Sequence, residues 1–591
     1  MAPVSALSHH DPDEGGEAST MSRRKLIGAL AAGAVVTACS APQSALPLAL
    51  TEQGSSDPTA GVTSVGSTHT PTPTPTTTPG PPTLPTIDTA GEPTLVGEPT
   101  LVGGANASTP FKPPVLALKD PQVVHLANRL TFGITSELRQ EIAADPNAFV
   151  EDQLSKNSPD PVLEAELVDQ LPLLSWKQPK AKPPGNAYPD RSIGPELIYA
   201  TTVRSIRSKH QLHEMMMHLW MDHFNISNLP RGFKVSLALY QEQVIRPNVM
   251  GKFRDLLTAT APSTGMLMYL DNASSNANSK KGVNENYGRE LLELHTLGIH
   301  PDGSQVYNED DMRGAALVMS GWTQAHGFFK FEPKFHHKGE VSLFGGAWTT
   351  AGLSGKERGD SLLEFLATHE STARYIAYKL GRRFISDEPP QSIIDSTAKV
   401  FLENDTAMVP TLRHLFNSEE FRSSAGQKFR RPFEFVVAAV RALNVEPKGL
   451  PGSPAAGVLQ RALRLQKQLP WSWEQPDGFS ETASDWLNTQ TMLARWSFSA
   501  QLANEIRAPK DRAAEDLWPD YSNLLARVST ADELISVIAD DIGVGELDPQ
   551  LRVDIAGFAG LTPSSPVAGL PREVVAKMVA PVLSHPNFQV R

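Results

Sequence analysis

The spacing of apolar residues divides the chain into two unlike parts. From residue 115 onward, apolar residues recur at the three- and four-residue spacing of amphipathic helices. Between residues 40 and 114 they are scattered among Ser, Thr, Pro and Gly, with no helical or strand period. The first pattern predicts helices over 123–130, 137–143, 212–224, 285–298, 311–322, 372–384 and 485–506.

One interval in the helical part, from residue 115 onward, departs from this spacing. Between Trp322 and Trp348, two short alternating runs flank His336-His337-Lys338-Gly339, and alternation is typical of strands. We therefore expect a mainly α fold, a large helical domain over 115–591 with a small β-hairpin insertion near 326–346. The Pro/Gly-rich stretch 446–454 is a candidate boundary, but the apolar helices after it need a partner face, which favours a single domain.

Residues 1–39 have the features of an export signal. Arg23 and Arg24 precede a short apolar run that ends at Cys39, the single cysteine of the 591-residue chain. Such a run is too short to span a bilayer as a stable helix, but it suits a signal peptide with a twin-arginine-like motif. Small residues directly before Cys39 resemble a lipobox, which predicts that the cysteine is lipidated and becomes the N-terminus. Residues 1–20 are acidic, so translation can begin at Met1 or at Met21.

Residues 40–114 lack the apolar content of a folded domain. They include "PTPTPTTTPGPPTLPT" from Pro71 and a tandem "GEPTLV" over 91–102. Alternating prolines favour extended polyproline II, and the segment cannot bury enough apolar surface to offset the ordering of the chain. This composition predicts a disordered stalk between the lipid anchor and the helical domain.

Composition excludes several classes of function. The net charge is −12, with 20% charged and 40% hydrophobic residues and no basic stripe, which argues against nucleic-acid binding. One cysteine rules out an internal disulfide framework and a cysteine-rich zinc site. The sequence "HEMMMH" is not a zinc-protease motif either, because His213 and His218 are five residues apart and point to different faces of a helix.

The strongest candidate for chemistry is the stretch "NENYGRELLELHTLG". Helical spacing places Asn286, Glu290, Glu293 and Leu297 on one stripe, next to an apolar stripe. Two neighbouring carboxylates that are half-buried repel each other unless an arginine, a metal or a shared proton lies between them. The alternative is a solvated face on which Glu285 pairs with Arg289.

Seven stretches of the helical part resemble a bacterial family catalogued as domain of unknown function 1800. They begin at Asn128, Leu219, Asn284, Phe335, Lys428, Trp486 and Leu583, and the block 284–298 is the most specific. The resemblance covers nearly the whole helical part. The motif positions that it implies are Trp220, His223, Asn284, Glu285, Asn286, Arg289, Glu290, Glu293, Asp311, Trp322 and His336. Gly288, Leu317 and His337 depart from the Ala, Arg and Asp usual at those positions.

The family resemblance implies an exported protein of unestablished activity. It also implies a partner, because members commonly lie beside genes of an exported family that resembles sulfatases and alkaline phosphatases. We expect the protein to be anchored on the outer face of the cell membrane or in the envelope through lipid on Cys39.

Two classes of function fit these residues. The first is a non-catalytic surface lipoprotein that binds a polymer or docks a partner enzyme. The second is an extracytoplasmic hydrolase-like enzyme with Glu290, Glu293, His223 and His336 as candidate acid/base groups. Such an enzyme could depend on a divalent metal, for which Glu290, Glu293 and Asp311 are the candidate ligands.

Overall fold

The structure is a computed structural model that describes residues 118–171, 174, 189–227, 234–300, 302–447, 451, 453–504 and 519–591. The predicted signal peptide (1–39) and stalk (40–114), with Cys39 and the arginine pair, lie outside the described residues. The described residues belong to one compact unit. Within them, no helix combines the length and apolar character needed to cross a membrane.

The described part is mainly helical, which confirms the predicted fold class. The helices that precede the strands are α1 (Pro121–Leu130), α2 (Ser136–Ala144), α3 (Pro146–Ser155), α4 (Pro161–Gln170), α5 (Pro189–Arg207), α6 (Gln211–His223), α7 (Lys234–Leu239), α8 (Phe253–Thr260), α9 (Thr264–Tyr269), α10 (Asn286–Glu290) and α11 (Glu309–Met319). Two of them continue as π-helical turns, α7 over Tyr240–Ile245 and α10 over Leu291–His295. Short 3₁₀ turns occupy Arg246–Asn248 and Asn272–Ser274.

The remaining helices follow the strands. They are α12 (Glu357–Ala367), α13 (Glu370–Phe384), α14 (Gln391–Glu403), α15 (Met408–Phe416), α16 (Glu419–Arg422), α17 (Pro432–Ala442), α18 (Pro454–Leu465), α19 (Ala483–Trp486), α20 (Thr489–Asn504), α21 (Ser522–Leu525), α22 (Ala531–Asp541), α23 (Pro549–Phe558) and α24 (Arg572–Leu583), with 3₁₀ turns at Phe344–Gly346 and Pro586–Gln589. The periodic stretch 485–506 is therefore split between α19 and α20. Helix α11 ends at Met319, before Trp322.

Local sequence explains where several helices start. Thr135 accepts a hydrogen bond from Leu138 N at the start of α2, and threonine is a favoured residue at this capping position. At α11, Asn308 and Asp311 form a capping box in which each side chain satisfies the other's backbone N–H. Proline occupies the first turn of α1, α3 and α17, where a missing N–H costs no helical hydrogen bond.

The predicted β insertion is present, but its turn lies elsewhere. Strand β1 (Trp322–Ala325) pairs antiparallel with β2 (Phe328–Phe331), so the turn is at His326-Gly327 and not at His336–Gly339. A second two-stranded ladder joins β3 (Ser342–Leu343) to β4 (Trp348–Thr349). His326 and Gly327 both have positive φ, which a two-residue hairpin turn requires. The alternation of apolar and polar residues predicted extended chain, but it could not show which residues pair or where the turn lies.

The hydrophobic core has two main clusters. One is built from residues between Val123 and Phe421, the other mostly from residues between Phe433 and Phe588. Helix α17, which precedes the Pro/Gly-rich stretch 446–454, packs against α18 and α20, which follow it. Helices on both sides of this stretch thus share one cluster.

Candidate functional site

Helix α10 changes its winding at the candidate carboxylates. It is α-helical through Glu290 and continues as a π-helical turn to His295. Thr296 Oγ1 donates to Leu291 O at 2.6 Å, and Gly298, at φ +73°, donates its N–H to Leu292 O. The helix therefore ends before Leu297, and the predicted stripe stops at Glu293. Single π turns occur often at functional sites.

Helices α10 and α11 lie unusually close together at Gly288. A Cβ added there would be 2.5 Å from Ala316 N and 2.6 Å from Met312 O. An alanine, expected at this position from the family resemblance, would force the two backbones apart. Gly288 thus permits the short distance between α10 and α11, and this distance sets the position of Glu290 on α10.

Glu290 is half-buried, and its carboxyl has an unusual acidity. Burial raises its pKa, and the neighbouring Glu293 carboxylate raises it further. Arg289 lowers the pKa only in part, and Asp477 raises it again, so that the pKa of Glu290 is about 7. The prediction that Glu290 and Glu293 are adjacent and partly buried fits this geometry. A carboxyl with this pKa carries its proton in a sizeable fraction of molecules at neutral pH.

Arg289 forms its ion pair with Glu309 and not with Glu290 or Glu293. Its guanidinium lies 2.8 Å from the Glu309 carboxylate on α11. Glu285, the predicted partner in the solvated-face alternative, lies instead 3.7 Å from Arg313. That alternative is wrong in its pairing, because the arginine best placed to neutralise Glu290 is bound to another helix.

A distant loop supplies a third carboxylate. Asp477 follows α18 and accepts a hydrogen bond from Trp473 Nε1 at 2.7 Å. The loop is held by Tyr269 Oη, which donates to Glu474 O at 2.7 Å, and by Asn225, which donates to Trp473 O. Gly478, at φ +75°, lies so close to Asp222 O that a Cβ would be 2.1 Å from it. Sequence analysis missed Asp477, which has no local pattern around it.

Tyr307 adds a buried hydroxyl next to these carboxylates. The residue is only 4% exposed, and within the described part of the chain its Oη has no hydrogen-bond partner. Burial raises its pKa, and Glu293 and Tyr375 raise it further, so the hydroxyl lies in their electric field. Buried hydroxyls are normally satisfied, so this one marks a place for a water molecule or a ligand.

His223 is a fixed, neutral imidazole. Its Nε2 lies 3.1 Å from His295 O and therefore carries the proton, while its Nδ1 lies 3.0 Å from Lys379 Nζ and accepts. Burial lowers its pKa well below the usual range, and Lys379 lowers it further. Both nitrogens are engaged, which argues against an acid/base role for His223 at neutral pH.

His336 makes its contacts at the β insertion. Its Nδ1 lies 2.8 Å from Ser320 O, and its ring packs edge-on against Phe331. Burial lowers its pKa. The two candidate histidines therefore belong to separate surroundings, and neither is hydrogen-bonded to Glu290 or Glu293 among the described residues.

Asp311 has a structural position. One of its carboxylate oxygens accepts from Asn308 N at 3.0 Å and the other from Phe344 N at 2.7 Å. Its N-terminal position on α11 also favours negative charge. The described residues contain no group of three or more His, Cys, Asp or Glu side chains placed to hold a metal. The proposed set of Glu290, Glu293 and Asp311 does not assemble into a metal site in this structure.

Several motif positions prove to be packing or turn residues. Trp220 is buried and donates its Nε1 hydrogen to Val249 O at 2.9 Å, and Trp322 is buried in β1. Asn284 accepts a hydrogen bond from Asn286 N, which shapes the turn into α10. The two tryptophans thus contribute to packing, and Asn284 shapes the backbone that leads into α10.

A second charged cluster lies between the two core clusters, and every carboxylate in it is paired. Glu434 on α17 lies 2.6 Å from Arg383 and 3.0 Å from Arg591, and Glu481 lies 3.1 Å from Arg383 and Arg431. Burial alone would raise the pKa of Glu434, but Arg591, Arg383 and Arg431 hold it well below its ordinary value. Sequence analysis missed this cluster because its members are far apart in the chain.

Comparison with known proteins gives one match. A family model described as "Protein of unknown function (DUF1800)" matches residues 125–590. No curated protein and no solved structure matches the chain significantly. The family match covers nearly all of the described helical part, which confirms the resemblance drawn from the sequence. The chain therefore belongs to the family of proteins of unknown function called DUF1800.

Proposed function

We propose that the region around Glu290, Glu293, Asp477, Tyr269 and Tyr307 binds a hydroxyl-rich polymer outside the cytoplasm. The observation that carries the proposal is the convergence of three carboxyl groups and two tyrosines from separate segments, while no arginine of the described residues forms an ion pair with Glu290. A purely structural carboxylate cluster would be neutralised, as it is around Glu434.

The chemistry of these groups suits hydroxyl recognition. Ionised carboxylates accept hydrogen bonds from hydroxyl groups, and a protonated Glu290 can also donate one. The partly buried rings of Tyr269 and Trp473 offer apolar faces beside them. A few polar groups on an otherwise apolar wall are typical of sites that fix the orientation of a ligand.

The proposed location, outside the cytoplasm, depends on export and lipidation of the N-terminal segment. Lipid on Cys39 would hold the protein at the outer face of the membrane, with residues 40–114 as the stalk. Replacing Cys39 with Ser should leave an unprocessed or soluble protein that incorporates no labelled fatty acid. A variant that is still cleaved and still bound to the membrane would overturn the anchor.

The binding proposal can be tested with insoluble polysaccharides. Full-length protein in detergent should be retained by at least one of cellulose, chitin or peptidoglycan, and Glu290→Gln/Glu293→Gln should weaken retention about tenfold, since two ligand-facing charges are lost. Glu340→Gln, which removes an exposed charge in the β insertion, is the matched control. Equal retention of the double variant and the wild type would refute the proposed site, as would no retention of the wild type.

A second candidate, acid/base hydrolysis of the bound polymer, is favoured by the pKa of about 7 at Glu290. A carboxylic acid with a raised pKa beside further carboxyl groups is an arrangement that lets one group donate a proton and another assist a nucleophile. Such hydrolysis would release soluble sugars from the retained polymer, and its rate would fall as the pH rises through about 7, because Glu290 loses the proton that it must donate. Retention without any release in wild-type protein would leave the binding function and exclude this one.

A further inference from the structure

A small pocket lies where the C-terminal half of α6 meets the chain segment 468–479. Its empty volume is about 360 Å³, which includes space open to solvent, and its interior admits a group about the size of a methyl group or a water molecule. Its lining includes the polar side chains of His218, Asp222 and Gln468 and the aromatic rings of Phe433, Trp471 and Phe479. The pocket thus combines polar groups with apolar walls.

The two polar side chains on α6 supply hydrogen-bond acceptors. Ser205 Oγ donates to Thr201 O at 2.9 Å and lies 3.2 Å from His218 Nε2, which assigns the imidazole proton to Nε2 and a lone pair to Nδ1. Burial lowers the pKa of His218 to about 3, so the ring is neutral. One turn later, Asp222 binds Arg431 through Oδ2 at 2.7 Å. Within the described part of the chain, His218 Nδ1 and Asp222 Oδ1 have no hydrogen-bond partner.

Gln468 adds a hydrogen-bond donor from another segment. Its Oε1 accepts from Phe433 N at 2.8 Å, which fixes the orientation of the side-chain amide. The Nε2 group has two hydrogens, and neither is bonded to another of the described residues. Trp471 lines the pocket with a φ of +66°, a conformation that is rare for a bulky residue and persists only where the surrounding structure enforces it.

An acetamido group matches this combination of acceptors, donor and apolar walls. Its N–H can donate to Asp222 Oδ1 or His218 Nδ1, its carbonyl oxygen can accept from Gln468 Nε2, and its methyl group fits the apolar walls. A cationic group matches less well, because Arg431 already compensates the charge of Asp222 and because an ammonium group has no acceptor for Gln468.

The pocket adjoins the proposed polymer site through direct contacts. The ring of Phe479, a lining residue, has its centroid 5.2 Å from that of Trp473. Trp473 Nε1 in turn donates to Asp477 at 2.7 Å. Asn225, another lining residue, donates to Trp473 O at 3.1 Å. A sugar chain that crosses the Trp473 ring can therefore place one substituent in the pocket.

We propose that this pocket is an acetamido subsite of the polymer-binding region, so that the bound polymer is an N-acetylated polysaccharide. The inference rests on the proposed function. It narrows the ligand from hydroxyl-rich polymers in general to those built on N-acetylglucosamine units, such as chitin and peptidoglycan. Cellulose has a hydroxyl group in place of the acetamido group and would leave the apolar walls without contact.

Soluble tetrasaccharides test the subsite in full-length protein in detergent. Calorimetric titration should give a Kd for chitotetraose at least about tenfold lower than for cellotetraose, because only chitotetraose fills the pocket. In saturation-transfer NMR, the acetyl methyl protons should receive the largest share of the saturation. Peptidoglycan glycan strands of the same length show which N-acetylated polymer is the source, and tighter binding of either one than of cellotetraose supports the subsite.

A variant of Gln468 tests the hydrogen-bond donor. Gln468→Leu should raise the Kd for chitotetraose about tenfold and leave that for cellotetraose unchanged, because only the acetamido carbonyl loses a partner. Gln466→Leu is the matched control: it makes the same substitution at a buried side chain that does not line the pocket and has no hydrogen-bond partner among the described residues. This control should bind both sugars as the wild type does. If Gln468→Leu does not fold, the comparison of sugars on the wild type decides.

The outcomes separate this subsite from the proposed function. Equal affinity of the wild type for chitotetraose and cellotetraose would overturn the subsite and leave polymer binding intact. Chitotetraose binding that is weakened by Gln468→Leu but unchanged by Glu290→Gln/Glu293→Gln would support the pocket and refute the carboxylate site. Binding of neither sugar would refute both.

Discussion

Glu434 and Glu290 are both removed from water at least in part, yet they differ in what surrounds them. Glu434 is 1% exposed and contacts three guanidinium groups, which hold its pKa well below the ordinary value. Glu290 is half-buried and faces two further carboxylates, and its pKa is raised to about 7. Burial acts in the same direction on both groups, so the neighbours decide the sign of the shift.

The difference separates a structural cluster from a candidate site. Around Glu434 the charges neutralise each other and join α13, α17 and the C-terminal Arg591. Beside Glu290 in the chain, Arg289 is bound to Glu309, and the hydroxyl of Tyr307 is unpaired among the described residues. An arrangement that the fold itself does not neutralise is the expected signature of binding or catalysis.

The largest effect is expected from breaking the paired cluster. Glu434→Gln should lower the free energy of unfolding by about 3–5 kcal/mol, because three buried guanidinium groups lose their shared carboxylate. Denaturant unfolding of the full-length protein measures this loss. Glu340→Gln should change stability by no more than about 0.5 kcal/mol. A Glu434→Gln variant as stable as this control would show that the cluster contributes little.

A smaller effect of opposite sign is expected at Glu290. Its folded pKa of about 7 exceeds the ordinary value of 4.5, so the folded state loses stability as pH rises between these values. At pH 8, Glu290→Gln should therefore raise the free energy of unfolding by roughly 1–2 kcal/mol, a range reduced for solvent screening of a half-exposed group. At pH 4 the variant and the wild type should unfold alike. Coincident unfolding curves at both pH values would place Glu290 in solvent.

The smallest effect distinguishes the two neighbours of Glu290. Glu293→Gln should lower the pKa of Glu290 more than Asp477→Asn does, because Glu293 contributes more to raising it. The carboxyl carbon resonance of Glu290, followed by NMR against pH, gives both values. The reverse order would mean that the loop carrying Asp477, not the π turn, controls this carboxyl.

Sequence patterns predicted most of the helices and part of the site. Apolar periodicity located α1, α2, α6 and α13, and side-chain caps fixed the start of α2. Glu290 and Glu293 were found because three-residue spacing places neighbours on one helix face. The π turn after Glu290 was missed, since it depends on hydrogen bonds from Thr296 and Gly298 that no spacing reveals.

The histidines illustrate a different limit. His223 and His336 were candidates because imidazole titrates near neutral pH, but burial lowers the pKa of each, and a nearby cation, Lys379 for His223 and Arg358 for His336, lowers it further. Residue type gives the ordinary pKa, whereas the shift depends on desolvation and on charges supplied by other segments. Lys379, 156 residues away from His223 in the chain, could not have been linked to it from sequence.

The sequence by itself determined the mainly helical fold, the family and the local pairing of Glu290 with Glu293, because these follow from short-range spacing and from contiguous motifs. Tertiary structure decided which charges are neutralised. It brought Asp477 and Tyr307 to Glu290, bound Arg289 to Glu309, and surrounded Glu434 with arginines. Electrostatic energies depend on distance in space and on exclusion of water, and neither quantity is fixed until distant segments pack together.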